Sequence, residues 1–122
     1  MERERFEELV FEAIEGLPLE FKQKLENIAV VVQDWPTPEQ MAKVKVKYPQ
    51  DLLGLYEGVP LLKRGRGYSM VLPDKITIFQ KPIEIHYRTE ERIIKKVREV
   101  VRHEIAHYFG ITDQRLKELG RY

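Results

Sequence analysis

The chain has 122 residues, 34% of them charged, a formal net charge of +1 and no cysteine. That length suits one domain with a modest core, and the near-neutral balance gives no pull toward nucleic acid or membrane. Without thiols there is no disulfide, and any metal must be held by nitrogen and oxygen donors.

No apolar run reaches transmembrane length, and the N-terminal MERERFEELVFEAIEG is too charged for a signal peptide, so the cytoplasm is the expected location. Phe6, Leu9, Val10, Ala13 and Ile14 share one face of a first helix, closed by Gly16 and Pro18. A short helical piece is expected over residues 19–25. Residues 28–33 (IAVVVQ) are almost wholly apolar and β-branched, the pattern of a strand buried on both faces, and their expected place is the middle of the sheet. Trp35 and Pro36 end it. Thr37 then has the chemistry of an N-cap, with Pro38 at the first helical position and Gln40 completing a capping box. Residues 43–48 (KVKVKY) alternate lysine with apolar residues and read as an extended edge guarded by charge.

Residues 51–67 are punctuated by Gly54, Gly58, Pro60, Gly65 and Gly67 as loop or broken strand. Arg64 and Arg66 in this stretch either line a cleft and meet a substrate carbonyl or carboxylate, or are solvated loop residues. No GK[ST] ending supports phosphate binding. Residues 68–72 and 75–80 read as a hairpin turning at Pro73 and Asp74, with Pro82 ending its second strand and His86 and Tyr87 in a connecting loop. Thr89 caps a long helix whose Glu90 and Glu91 suit its positive end. Leu116 and Leu119 mark a short last helix from about Asp113, stopped by Gly120.

Residues 103–113, HEIAHYFGITD, carry the chemistry. His103 and His107 are four apart and sit one turn above each other on one helical face, where two imidazoles can grip one Zn²⁺. Glu104 lies beside the first of them, placed to act on a water without being a ligand. Gly110 ends the helix and permits the reversal that any third ligand requires. Asp113 is the candidate third ligand; equally, Thr112 or Asp113 has the chemistry of an N-cap for the last helix. The short HExxH pattern arises by chance in roughly a few of every thousand chains this long, and the longer HExxHxxGxxD pattern far more rarely.

The helix itself supplies a second argument. Ile93, Ile94, Val97, Val100, Val101, Ile105 and Tyr108 define an apolar arc, and at about 100° per residue Glu104 falls inside it, with both histidines at its edge. A carboxylate on the buried side of a helix costs several kcal/mol unless compensated. A metal with its water would compensate it, and so would a buried arginine.

The motif HEIAHYFGITD, the following LKELGRY, and LLGLYEGVPLLKRG in the middle of the chain resemble the minimal zincin family of small bacterial zinc metallopeptidases. The resemblance covers well over half the chain. It implies a zincin-like α+β domain over residues 1–122, a small mixed sheet packed against the long motif helix and the N-terminal helix. It further implies Zn²⁺ on His103, His107 and Asp113, Glu104 as catalytic base, and a peptide or protein substrate. Tyr87 or Tyr108 would assist at the substrate carbonyl, though Tyr108 also belongs to the apolar arc. An extended peptide would add to an exposed strand edge, with residues 75–80 the candidate.

Two other functions share some of these features. Small metal-dependent endoribonucleases also place two histidines four apart, but with a histidine as third ligand and no glutamate at the position of Glu104. A metal-bearing peptide-binding module without catalysis would have no need of Glu104 and would normally hold its zinc with four protein ligands.

Overall fold

The computed structural model describes residues 1–58 and 74–110. Among them are α1 (Arg3–Glu15), α2 (Leu19–Lys24), β1 (Ile28–Gln33), α3 (Pro38–Lys43), β2 (Gly54–Glu57), β3 (Asp74–Phe79), α4 (Gln80–His86) and α5 (Glu90–Phe109). The fold is α+β, as expected. The expected strand over 68–72, Arg64, Arg66, Asp113 and the last short helix lie outside the described residues.

Helix α1 follows its sequence pattern. Phe6, Leu9, Val10 and Ala13 are buried and Ile14 packs beside them. The helix lies along α5, where Ile93, Val97, Val101 and Ile105 present the matching apolar stripe. Each such side chain contributes about 1.5–3 kcal/mol when fully buried. Polar ties hold the two helices together at both ends: Arg5 Nη2 lies 2.6 Å from Glu90 Oε1, and Arg98 Nε donates to the Ala13 carbonyl at 3.0 Å.

The strands run in the order β1-β3-β2, with β1 parallel and β2 antiparallel to β3. This corrects the expected place of the apolar strand. β1 lies at the edge of this sheet and is only partly buried, Val31 remaining 37% exposed. The centre belongs to β3, where Ile76, Thr77, Ile78 and Phe79 are wholly buried. The reason is that β3 is covered on both faces. Ile76 and Ile78 join the main core under α1 and α5, whereas Phe79 joins Leu52, Leu55, Met41 and Val46 in a smaller cluster on the other side. The central place of β3 also removes residues 75–80 as the strand edge for a peptide.

Two further expectations fail for local reasons. Residues 43–48 are not an extended edge. Lys43 ends α3, Lys45 takes a left-handed φ of 56°, and the Val46 N–H bonds back to the Met41 carbonyl at 3.2 Å, so these backbone groups close a helix end. Pro82 does not end a strand before a loop; it sits in the first turn of α4, where a missing N–H leaves no bond unmade. His86 is accordingly the last residue of a helix. Around Thr37 the capping box is present, the Thr37 side chain accepting from the Gln40 N–H and the Gln40 side chain from the Thr37 N–H. Among the described residues no helix is long and apolar enough to cross a membrane.

Candidate metal centre

Helix α5 begins and ends where its sequence directs. The Thr89 hydroxyl accepts the Arg92 N–H at 3.2 Å, and Gly110 closes the helix in the left-handed conformation, φ 70°. A side chain at that φ would be strained, so the glycine is what allows the helix to end two residues after His107. On the helix, His103 is half-buried and His107 exposed. Their ring centroids are 6.1 Å apart with planes inclined at 62°, on one face of the helix.

Glu104 faces β2. Its Oε1 accepts the backbone N–H of Tyr56 at 2.8 Å. The register explains why that N–H is available. The Phe79 N–H bonds to the Leu53 carbonyl, which makes Leu53, Leu55 and Glu57 the residues whose backbone groups point into the sheet. Gly54 and Tyr56 then direct theirs outward, toward α5. Strand and helix run side by side: a Cβ on Gly54 would collide with Val100, while Tyr56 reaches Glu104, one helical turn further on.

Burial raises the pKa of Glu104 above the ordinary glutamate value, against the opposing pull of the Tyr56 N–H and of His107. The carboxylate is therefore held by an amide beside an imidazole, on the buried side of the helix, as the sequence periodicity indicated.

Tyr108 departs from its expected core position. It is 53% exposed and stacks on Tyr56, ring centroids 4.1 Å apart. The Tyr56 hydroxyl donates to Asp74 Oδ2 at 2.8 Å, and burial together with that carboxylate holds its pKa well above the usual phenol range. Tyr108 thus stands one turn from Glu104, whereas Tyr87 sits against Lys96, whose ammonium lies 5.6 Å from the ring centre. His86 is engaged elsewhere, with Nε2 3.1 Å from the Gln50 carbonyl oxygen.

No cluster of three histidine, aspartate or glutamate side chains suited to a metal occurs among the described residues, and Asp113 lies outside them. What is present fits zinc in donor chemistry: two imidazoles on one helical face and a neighbouring carboxylate with one oxygen on an amide. Tyr56 is the site residue that sequence reasoning missed. A backbone amide leaves no mark in the sequence, and Tyr56 stands in a stretch that its glycines make look like loop.

Residues 25–121 match the model of the zincin-like metallopeptidase family, and the chain belongs to that family. Membership implies a metal, typically zinc, and peptide substrates. No curated protein matches the sequence.

Proposed function

We propose that residues 1–122 form one cytoplasmic zinc-dependent peptidase unit, with His103, His107 and Asp113 as the zinc ligands and Glu104 as the general base. The observation that carries this reading is Glu104 itself. It lies on the buried side of α5 beside the histidine pair, with Oε1 pinned by the Tyr56 N–H and its pKa raised by burial.

Zinc, when bound, supplies a Lewis acid and brings the pKa of its water toward about 7. The chain's own residues do the rest. With Oε1 occupied by the amide, Oε2 is the oxygen left to take the proton of the attacking water and to return it to the departing amine nitrogen. Burial favours this, because a raised pKa makes the carboxylate a better proton acceptor. The outward edge of β2, which already offers its Tyr56 N–H to Glu104, is the strand edge against which an extended peptide would lie. Tyr108, one turn from Glu104 and exposed, is the tyrosine within reach of the substrate carbonyl.

The test has two parts. Purified protein should hold one zinc per chain, lost when both His103 and His107 are replaced by alanine, and should cleave members of a broad peptide library. Asp113→Ala separates ligand from cap: a ligand lost weakens zinc binding severely, whereas a cap lost costs about 1 kcal/mol of stability and leaves the affinity nearly intact. A chain that binds zinc and peptides yet cuts nothing would be a binding module instead.

A further inference from the structure

We propose that the cationic cleft between the end of α4 and the first turns of α5 binds a carboxylate of the peptide substrate, about three to five residues from the bond held at the histidine pair. The proposal rests on the peptide-substrate reading above.

His86, Tyr87, Arg92, Lys95, Lys96 and Glu99 line a cleft of about 300 Å³. Three cations there face one carboxylate. Glu99 lies 3.3 Å from Lys96, and the exposed side chains of Arg92 and Lys95 meet no acidic partner among the described residues. Lys96 is fixed by the Tyr87 ring on one side and Glu99 on the other. A small cleft with an aromatic wall and an excess of positive charge suits one carboxylate, which two or three N–H donors can hold by charge-assisted hydrogen bonds. It is too small for a polyanion.

Its position ties it to the proposed reaction. His103 and His107 stand 7 and 11 residues after Lys96, so at about 100° per residue Lys96 projects within about 20° of each. Lys96 and the histidine pair therefore lie on one stripe of α5, Lys96 about 10 Å from His103 and about 16 Å from His107 along its axis. That span equals about three to five residues of extended chain. On the other wall, His86 reaches the Gln50 carbonyl just before β2, and β2 then runs beside α5 from Gly54 at Val100 to Tyr56 at Glu104. A peptide laid along β2 past Gly54 runs onto the cationic cleft.

The carboxylate could be an acidic side chain or the chain end, and one experiment separates them. Four fluorescein-labelled pools of decapeptides would be used, carrying either Glu-Asp-Glu or Gln-Asn-Gln at fixed positions, each with a free or an amidated C-terminus. Binding to the full chain, zinc-loaded and carrying Glu104→Gln so that peptides persist, would be read by fluorescence anisotropy. The acidic pools should bind about tenfold more tightly at low salt, the margin shrinking as salt screens it. An advantage of the acidic over the neutral pools that survives amidation assigns the side chain; an advantage of free over amidated termini in both compositions assigns the chain end.

Arg92→Glu with Lys95→Glu, both at exposed positions, should reverse the preference, while Lys22→Gln with Lys45→Gln, away from the cleft, should leave it. Equal binding of all pools, or a preference untouched by the charge reversal, overturns the subsite. Tighter binding of a ten-nucleotide polyuridylate than of any acidic pool overturns it in favour of a nucleic-acid partner. Cleavage by the parent without charge preference leaves the peptidase standing and the subsite refuted. Charge-dependent binding without cleavage does the reverse.

Discussion

Glu57 is the last residue of β2 and Glu104 meets the same strand from α5; burial works against the charge on both, yet their surroundings answer it differently. On the α3 side, Glu57 accepts hydrogen bonds from Lys43 Nζ at 2.9 Å and Gln40 Nε2 at 3.1 Å, with Lys75 4.0 Å away. These outweigh burial and hold its carboxyl below the ordinary glutamate value. On the α5 side, Glu104 receives the Tyr56 N–H and the influence of His107, and there burial prevails and its pKa rises. A carboxylate that fastens two elements is surrounded by donors and cations. Glu104, buried with fewer of them, is the easier of the two to protonate, and that contrast is what supports its proposed role as the base.

The largest effect separates the two carboxylates by activity. On any peptide the parent cuts, Glu104→Gln should lower the rate by about 10² to 10⁴ while the zinc remains, since an amide keeps the shape but takes no proton. Glu57→Gln should leave the rate close to the parent's. Equal losses in both variants, measured as initial cleavage rates, would erase the distinction.

Gly54→Ala sharpens the comparison from the backbone side. Its Cβ would run into Val100 and lie 3.3 Å from the Thr77 carbonyl, forcing β2 away from α5. About 1–3 kcal/mol of stability should be lost, read by urea unfolding, with faster exchange of the Tyr56 amide proton. On the α3 side, Thr37→Ala removes the capping box and should cost about 1 kcal/mol without altering the zinc content. A change in metal affinity there would mean that the two sides of β2 are coupled.

The smallest effect is one of sign. Because the folded pKa of Glu57 is lowered, its contribution is present above the unfolded value of about 4.5 and is lost as pH falls through the folded pKa. Glu57→Gln should therefore cost less than about 1 kcal/mol at pH 7, given that Lys43 is exposed, and the deficit should close below pH of about 4.5. The raised pKa of Glu104 works the other way, so in metal-free protein Glu104→Gln should stabilise slightly at pH 7. Paired unfolding curves from pH 3 to pH 7 check both signs.

Much of this site was legible before the fold was known. The spacing of His103, Glu104 and His107, the Thr89 cap and the Gly110 stop involve residues within one or two turns of each other, so periodicity and capping chemistry describe them fully. The apolar arc even placed Glu104 on the buried side. It failed at Tyr108, because an arc drawn from hydrophobicity alone does not know where the neighbouring strand ends. Tyr108 lies at the end of the helix and covers Tyr56 instead of entering the core.

What the sequence by itself determined is local: the helices α1 and α5, the capping box at Thr37, and a metal-suited pair on one face of α5. Only the tertiary structure decided that β1 lies at the edge and β3 at the centre, since β-branched composition makes a strand but does not say which layers cover it. It also decided which amide meets Glu104. That bond joins positions 48 apart, and its donor is a backbone N–H whose direction depends on how β2 registers against β3, so it exists only once the sheet and α5 have packed together.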